Sequence, residues 1–297
     1  MTPEQTFNAL QRVARQEGRA VQELLTLYVL ERFLARLVEG PYEDSFVLKG
    51  GVLLAGYGLR RPTRDVDMQA MDFVLDEEHC RKVVVTVATA EADDGVVFDS
   101  IPKHIEPIRD EQEYSGLRVH VRAQLYRAQI SVKLDISTGD PISPNAQLVT
   151  MPQILGGEFT LMGNPPETII AEKAVTILQR GATSTRWRDY MDVRSLSRSR
   201  SFSSGKLRRA IEAVAKYRGV ELSAPSESLR GHDELAQQKW AAWPTKTDVE
   251  DITLPFLTDQ LAEVAAFLDP IFVDAVGQVA AWDPASKTWR EAFLPPK

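Results

Sequence analysis

Residues 46–70 read FVLKGGVLLAGYGLRRPTRDVDMQA, and the fold is decided by how this stretch is parsed. Ser45-Phe46-Val47-Leu48 is a short strand candidate, closed by Lys49-Gly50-Gly51. A short apolar helix is predicted over Val52 to Tyr57, followed by the basic loop Arg60-Arg61-Pro62-Thr63-Arg64. That loop runs into a second strand, Asp65 to Ala70. Residues two apart on a strand point to the same face, so Asp65 and Asp67 stand side by side. Two such carboxylates do not both stay ionised without a cation, and a hard divalent ion such as Mg²⁺, or Mn²⁺, resolves the conflict. An isolated Asp-x-Asp is more often a solvated strand end. The residues upstream change that balance. Gly50 and Gly51 let the backbone approach a phosphate at a helix N-terminus, and Arg60, Arg61 and Arg64 add positive charge. A phosphate cradle and a metal site thus fall within about twenty residues, the requirement of nucleoside-triphosphate chemistry.

Outward from this stretch, Thr2-Pro3-Glu4-Gln5 is a capping-box helix start. A helix is predicted over 19–39, with Leu24, Leu25, Tyr28, Phe33 and Leu37 at helical spacing. Another covers Asp76 to Thr89, and two strands cover 117–126 and 129–137. In the second, Ile130, Val132, Leu134 and Ile136 alternate with Ser131, Lys133, Asp135 and Ser137, which marks one buried and one polar face. Asp135 on the polar face is the favoured third carboxylate, and Asp99, after Val96-Val97-Phe98, is its rival. Beyond Asn164 the pattern is almost entirely helical, with Asn164 as a cap and Pro165 at the first helical position. A boundary is therefore expected near residue 160, dividing an α/β domain (1–160) from a mainly helical one (161–297). The serine-rich run Ser195 to Ser204 is expected to be a loop.

Composition sets outer limits. The 297 residues carry 43% hydrophobic and 26% charged residues, the balance of a globular chain. No apolar run reaches the ~18 residues that suggest a membrane span. No basic-then-apolar leader opens the sequence, and Cys80 is the only cysteine, which excludes an internal disulfide and a thiolate zinc cluster. The expected location is cytoplasmic, without a membrane partner. The net charge is −7, yet Arg180 to Arg218 holds eleven Arg/Lys against three Asp/Glu. Such a segment is either a solvated helix face or a footprint for a phosphate backbone. The five tryptophans and four histidines show no ligand-like spacing.

The order Gly-Gly, thirteen residues, Asp-x-Asp and a later carboxylate resembles the polymerase-β-like nucleotidyltransferase superfamily. More narrowly, the sequence resembles the AbiEii toxins of AbiE-type toxin–antitoxin systems, including the mycobacterial MenT toxins. The residues that carry this likeness are Lys49-Gly50-Gly51, then Arg61-Pro62-Thr63-Arg64-Asp65-Val66-Asp67, then Ala171-Glu172-Lys173, then Arg188-Asp189-Tyr190-Met191-Asp192. They span roughly residues 46–196, and the last hundred residues match no pattern. The resemblance implies an α/β fold of the α+β kind: a polymerase-β-like core with a mixed sheet, and a helical C-terminal half that completes the active site. It implies Mg²⁺ held by Asp65, Asp67 and Asp135. Lys49, Gly50, Gly51, Arg61, Arg64 and Lys173 would bind the NTP, and Asp65, Asp67, Lys173 and Asp192 would be catalytic. Asp192 would orient Lys173 or act as a general base, unless it only pairs with Arg188. A tRNA 3′ end is the implied acceptor and a cognate antitoxin the implied partner. A phosphate on Thr63, two residues before Asp65, would place about two negative charges beside the metal carboxylates. The rival readings are transfer to a small molecule or a protein, or a catalytically silent binding module.

Overall fold

The computed structural model describes residues 1–71, 73–108, 116–139 and 141–291. They divide into two compact units, Met1–Asp140 with Gln147–Gly163, and Pro141–Ala146 with Asn164–Lys297.

The first unit opens with α1 (Pro3–Glu17), whose Thr2 cap and Gln5 form the reciprocal capping box. Helix α2 (Val21–Val38) is apolar over most of its surface and buries Leu30, Phe33 and Leu34 almost completely. Strand β1 (Phe46–Lys49) leads into α3 (Gly50–Leu53) and a 3-10 turn over Leu54–Tyr57. The short helix thus begins at the glycines, two residues before the expected Val52. Strand β2 (Asp65–Ala70) and helix α4 (Glu77–Thr89, capped by Asp76) follow the predicted pattern. The remaining strands are β3 (Val96–Phe98), β4 (His104–Pro107), β5 (Gly116–Leu125), β6 (Ala128–Ser137), β7 (Gln147–Pro152) and β8 (Glu158–Gly163).

They form one mixed sheet in the order β3-β5-β6-β2-β1-β8-β7, with β4 also on β5. β2 runs parallel to β6 and antiparallel to β1. The alternation in β6 has the expected consequence. Ile130, Val132, Leu134 and Ile136 are buried, and α2 packs on this strand, while Ser131, Lys133 and Asp135 take the other face. At about 25 cal/mol per Å² of apolar surface, burying these four side chains contributes several kcal/mol and fixes the register. A one-residue slip would turn Asp135 into the core.

The second unit contains α5 (Pro166–Arg180), α6 (Trp187–Ser199), α7 (Ser204–Tyr217), α8 (Pro225–Ser228), α9 (His232–Thr247) and α10 (Leu257–Phe272). It ends in a hairpin of β9 (Ala280–Asp283) and β10 (Thr288–Glu291), which helical periodicity did not foretell. Trp282 and Trp289 of the hairpin pack on Phe267 of α10, with centroids 4.8 and 5.6 Å away. The cap of α5 is Pro165 rather than Asn164, with Pro166 at its first turn, and the buried Asn164 side chain bonds Glu172 instead.

The serine-rich run is not a loop through its length. Residues Ser195–Ser199 complete α6, and α7 begins at Ser204. Ser197 and Ser199 return their hydroxyl protons to the carbonyls of Arg194 and Leu196, so these serines do not expose unmet polar groups. Leu196 is fully buried, and the Trp282 indole donates to the Ser197 carbonyl at 2.7 Å. Tertiary burial outweighs the weak helix propensity of serine here.

Candidate active site

The two aspartates of β2 lie on the polar face of the sheet, and neighbouring strands extend the pattern into two rows. In the first, Arg118 of β5 pairs with Asp135 of β6, Asp135 with Asp67 of β2, and Asp67 with Lys49 of β1. In the second, Asp65 is in register with Lys133, and Lys133 with His120. Adjacent strands are only ~4.8 Å apart, so three carboxylates are confined between flanking cations.

Gly50 is shaped by Asp67. Its φ is +67°, and an added Cβ would lie 1.9 Å from Asp67 Oδ2. Only glycine leaves room for that carboxylate against the first turn of α3. Gly51 plays the same part for Arg61, whose Nη1 would be 2.8 Å from a Cβ there. Arg61 is buried and donates to the Pro62 carbonyl at 3.1 Å, so it braces the glycine turn from within. Arg60 is also built in, through Glu31 and the Pro152 carbonyl. Burial pushes the Glu31 carboxyl above its usual range, and Arg32, the Ile154 N–H and Arg60 oppose that rise. Arg64 is the exposed cation of the loop. Thr63 is buried and donates its hydroxyl to Asp65 Oδ1 at 2.8 Å, which fixes that carboxylate. A phosphate on Thr63 therefore requires the segment to open.

The third carboxylate is engaged. Asp135 accepts from Arg118 Nε at 2.8 Å and from Nη2 at 2.7 Å, a bidentate pair. Hydrogen bonding to Asp135 raises the Arg118 pKa, against the opposing effect of burial. Asp99 follows the edge strand β3, is exposed, and is separated from β2 by β5 and β6. Of the two rivals, Asp135 is thus the one beside Asp67. The oxygen donors of Asp65, Asp67 and Asp135, on neighbouring positions of β2 and β6, are of the type a hard divalent cation takes. As the side chains stand, no group of three His, Cys, Asp or Glu among the described residues is gathered closely enough to hold one.

In the second unit, α5 and α6 bring the later motif together. Lys173 Nζ lies 3.0 Å from Asp189 Oδ1 and 2.7 Å from Asp192 Oδ2. Arg186 Nε adds a 2.8 Å contact to Asp189 Oδ2. Burial disfavours the charged form of Asp189, but Lys173 and Arg186 overcome it and hold the carboxyl below its ordinary pKa. Asp192 is thus in place to orient Lys173. The basic stretch is largely spent inside the unit. Arg194 and Arg198 bind Glu263, and Arg208 binds Glu212 and Asp274. Lys206, Arg209 and Lys216 remain exposed along α7, next to the exposed Tyr217. Cys80 is buried, and burial, then Asp76 and Glu77, push its thiol up to about 11. No helix among the described residues is long and apolar enough to cross a membrane.

This geometry can be compared with known proteins. The family model of the AbiEii nucleotidyl transferase toxin of type IV toxin–antitoxin systems matches residues 32–267. The chain belongs to the AbiEii family. It is accordingly a nucleotidyltransferase of a toxin–antitoxin family, and an antitoxin partner follows from that membership. No curated protein matches the chain. Among solved structures, JHP933 from Helicobacter pylori shares 18% identity at a TM-score of 0.51, covering 86% of this chain and 94% of its own. A candidate nucleotidyltransferase from H. pylori shares 19% identity at the same TM-score of 0.51, covering 87% of this chain and 99% of its own. At these identities the likeness establishes a shared α/β fold. Arg118 was missed by sequence reasoning. Its only sequence signal is its place on the polar side of a strand, and its pairing with Asp135 depends on the β5–β6 register.

Proposed function

We propose that this AbiEii protein transfers a nucleoside monophosphate from an NTP to the 3′ end of tRNA and thereby blocks translation. The observation that carries the reading is the juxtaposition of Asp65, Asp67 and Asp135 beside the Gly50–Gly51 turn. Asp65, Asp67 and Asp135 would hold Mg²⁺, or Mn²⁺, which would neutralise charge on the triphosphate. Lys49, the N–H groups at Gly50 and Gly51, and Arg64 would bind phosphate oxygens, with Arg61 holding the turn in shape, and the AbiEii resemblance implies a phosphate-binding role for Lys173 in the second unit. The acceptor hydroxyl oxygen attacks the α-phosphorus, the bond from that phosphorus to the β-bridging oxygen breaks, and pyrophosphate leaves. The hydroxyl proton passes to a carboxylate of the site. Asp192 keeps Lys173 oriented. The exposed Lys206, Arg209 and Lys216 would meet the RNA backbone.

The test incubates the protein with total tRNA, Mg²⁺ and each labelled NTP in turn, with Asp65→Ala alongside. Label on tRNA from one NTP, absent in the variant, supports the proposal. Label on protein or on a small molecule alone would keep the chemistry and discard the tRNA acceptor.

A further inference from the structure

The Arg118–Asp135 pair sits where the reading above needs a metal ligand. Asp67 and Asp135 are direct register partners on parallel strands, with Asp65 two residues away. Like charges directly opposite on a sheet destabilise it, and three carboxylates at this spacing do so without a counter-charge. Arg118, the register partner of Asp135 on the other side, supplies one by binding both carboxylate oxygens at 2.8 and 2.7 Å. Its planar fork matches a carboxylate bidentately, occupying one acceptor direction on each oxygen and placing a positive charge where a cation would approach. A released Arg118 also has another partner within reach. Glu106 of β4 is in register with it, and Glu106 otherwise contacts His120 at 3.1 Å and His104 at 3.4 Å.

We infer that Arg118 is a latch on the third carboxylate. Paired with both its oxygens, it closes Asp135, and a divalent cation entering beside Asp65 and Asp67 competes with it for that side chain. Arg118 is a positioning residue in this scheme, and it sets the affinity of the site for metal before any nucleotide arrives. The inference rests on the metal reading of the preceding subsection.

The experiment titrates the intact protein with Mn²⁺ in the absence of nucleotide and reads free Mn²⁺ by electron paramagnetic resonance. Wild type is compared with Arg118→Gln, Arg118→Lys, Asp135→Asn and the Arg118→Gln/Asp135→Asn double variant, each checked for folding by circular dichroism. Arg118→Gln is expected to bind Mn²⁺ at least about threefold more tightly, the scale of a partly exposed ion pair. Arg118→Lys keeps the charge but loses the fork, and is expected to tighten binding as well, which a purely long-range field effect would not produce. Asp135→Asn is expected to weaken binding, and the double variant to match Asp135→Asn alone. If Arg118→Gln tightens binding equally when Asp135→Asn is already present, the latch is overturned, because the gain then comes from removed charge alone. Unchanged affinity in Arg118→Gln or in Asp135→Asn would overturn it too. If wild type and Asp65→Ala bind Mn²⁺ equally weakly, the metal reading itself falls and takes the latch with it.

Discussion

At the scale of single residues, the site depends on two contacts whose removal has opposite logic. Gly50 must lack a side chain, since its φ of +67° and the 1.9 Å approach to Asp67 Oδ2 leave no space for a Cβ. Gly50→Ala is expected to displace the Asp67 carboxylate and lower kcat/KM by about a hundredfold, the scale of a ~1 Å misplacement. Steady-state kinetics of transfer would check this, and a Gly50→Ala variant as active as wild type would show that Asp67 does not need that approach. Thr63 must keep its side chain, because its hydroxyl holds Asp65 Oδ1. Thr63→Val is expected to cost roughly tenfold in activity, on the order of one lost charge-assisted hydrogen bond, with Thr63→Ser retaining most of it. Equal activity in the Val and Ser variants would remove Thr63 from the positioning of Asp65.

At the scale of elements, α5 and α6 are joined by a buried charge cluster rather than by apolar packing alone. Lys173 has 13% of its side chain exposed, and Asp189 and Asp192 have 5% and 1%. Lys173→Met would leave two buried carboxylates short of their cation, and is expected to destabilise the second unit by about 3–5 kcal/mol in denaturant unfolding. A loss below ~1 kcal/mol would mean that Arg186 and other neighbours suffice. The cluster also sets a pH dependence. Burial works against the Asp189 charge, yet Lys173 and Arg186 hold its pKa below the ordinary value, so the unfolded chain takes up the proton first as pH falls. Its stabilising contribution is therefore complete above the unfolded value of ~3.9 and is lost as pH drops through the lower folded value. Asp189→Asn should flatten that part of the acid-unfolding profile, and an unaltered profile would assign the acid loss to other carboxylates.

At the scale of the whole molecule, the −7 net charge and the basic stretch are reconciled by where the cations go. Arg186, Arg194, Arg198 and Arg208 serve internal ion pairs, and α7 presents Lys206, Arg209 and Lys216 outward. If these three contact RNA phosphates, replacing all three with Gln should weaken tRNA binding and reduce the slope of log K against log salt by about 2–3. Asp65→Ala should leave that slope unchanged. Filter binding across a salt series measures both, and an unchanged slope in the triple variant would place the RNA elsewhere.

The residues alone were enough to read the Gly50–Gly51 turn, the strand carrying Asp65 and Asp67, the polar face of β6 and the AbiEii resemblance. These are local signals, written in period and turn chemistry over a few residues. The helical continuation through Ser195–Ser199 and the β9–β10 hairpin escaped, because burial of Leu196 and Trp282 and the stacking of Trp289 on Phe267 override weak local preference. The same holds in the site. The sequence nominated both Asp99 and Asp135, and only strand pairing set Asp135 beside Asp67 and gave Arg118 to Asp135. Register is a property of two segments at once, fixed by core burial and hydrogen bonding between them, and neither segment carries it alone.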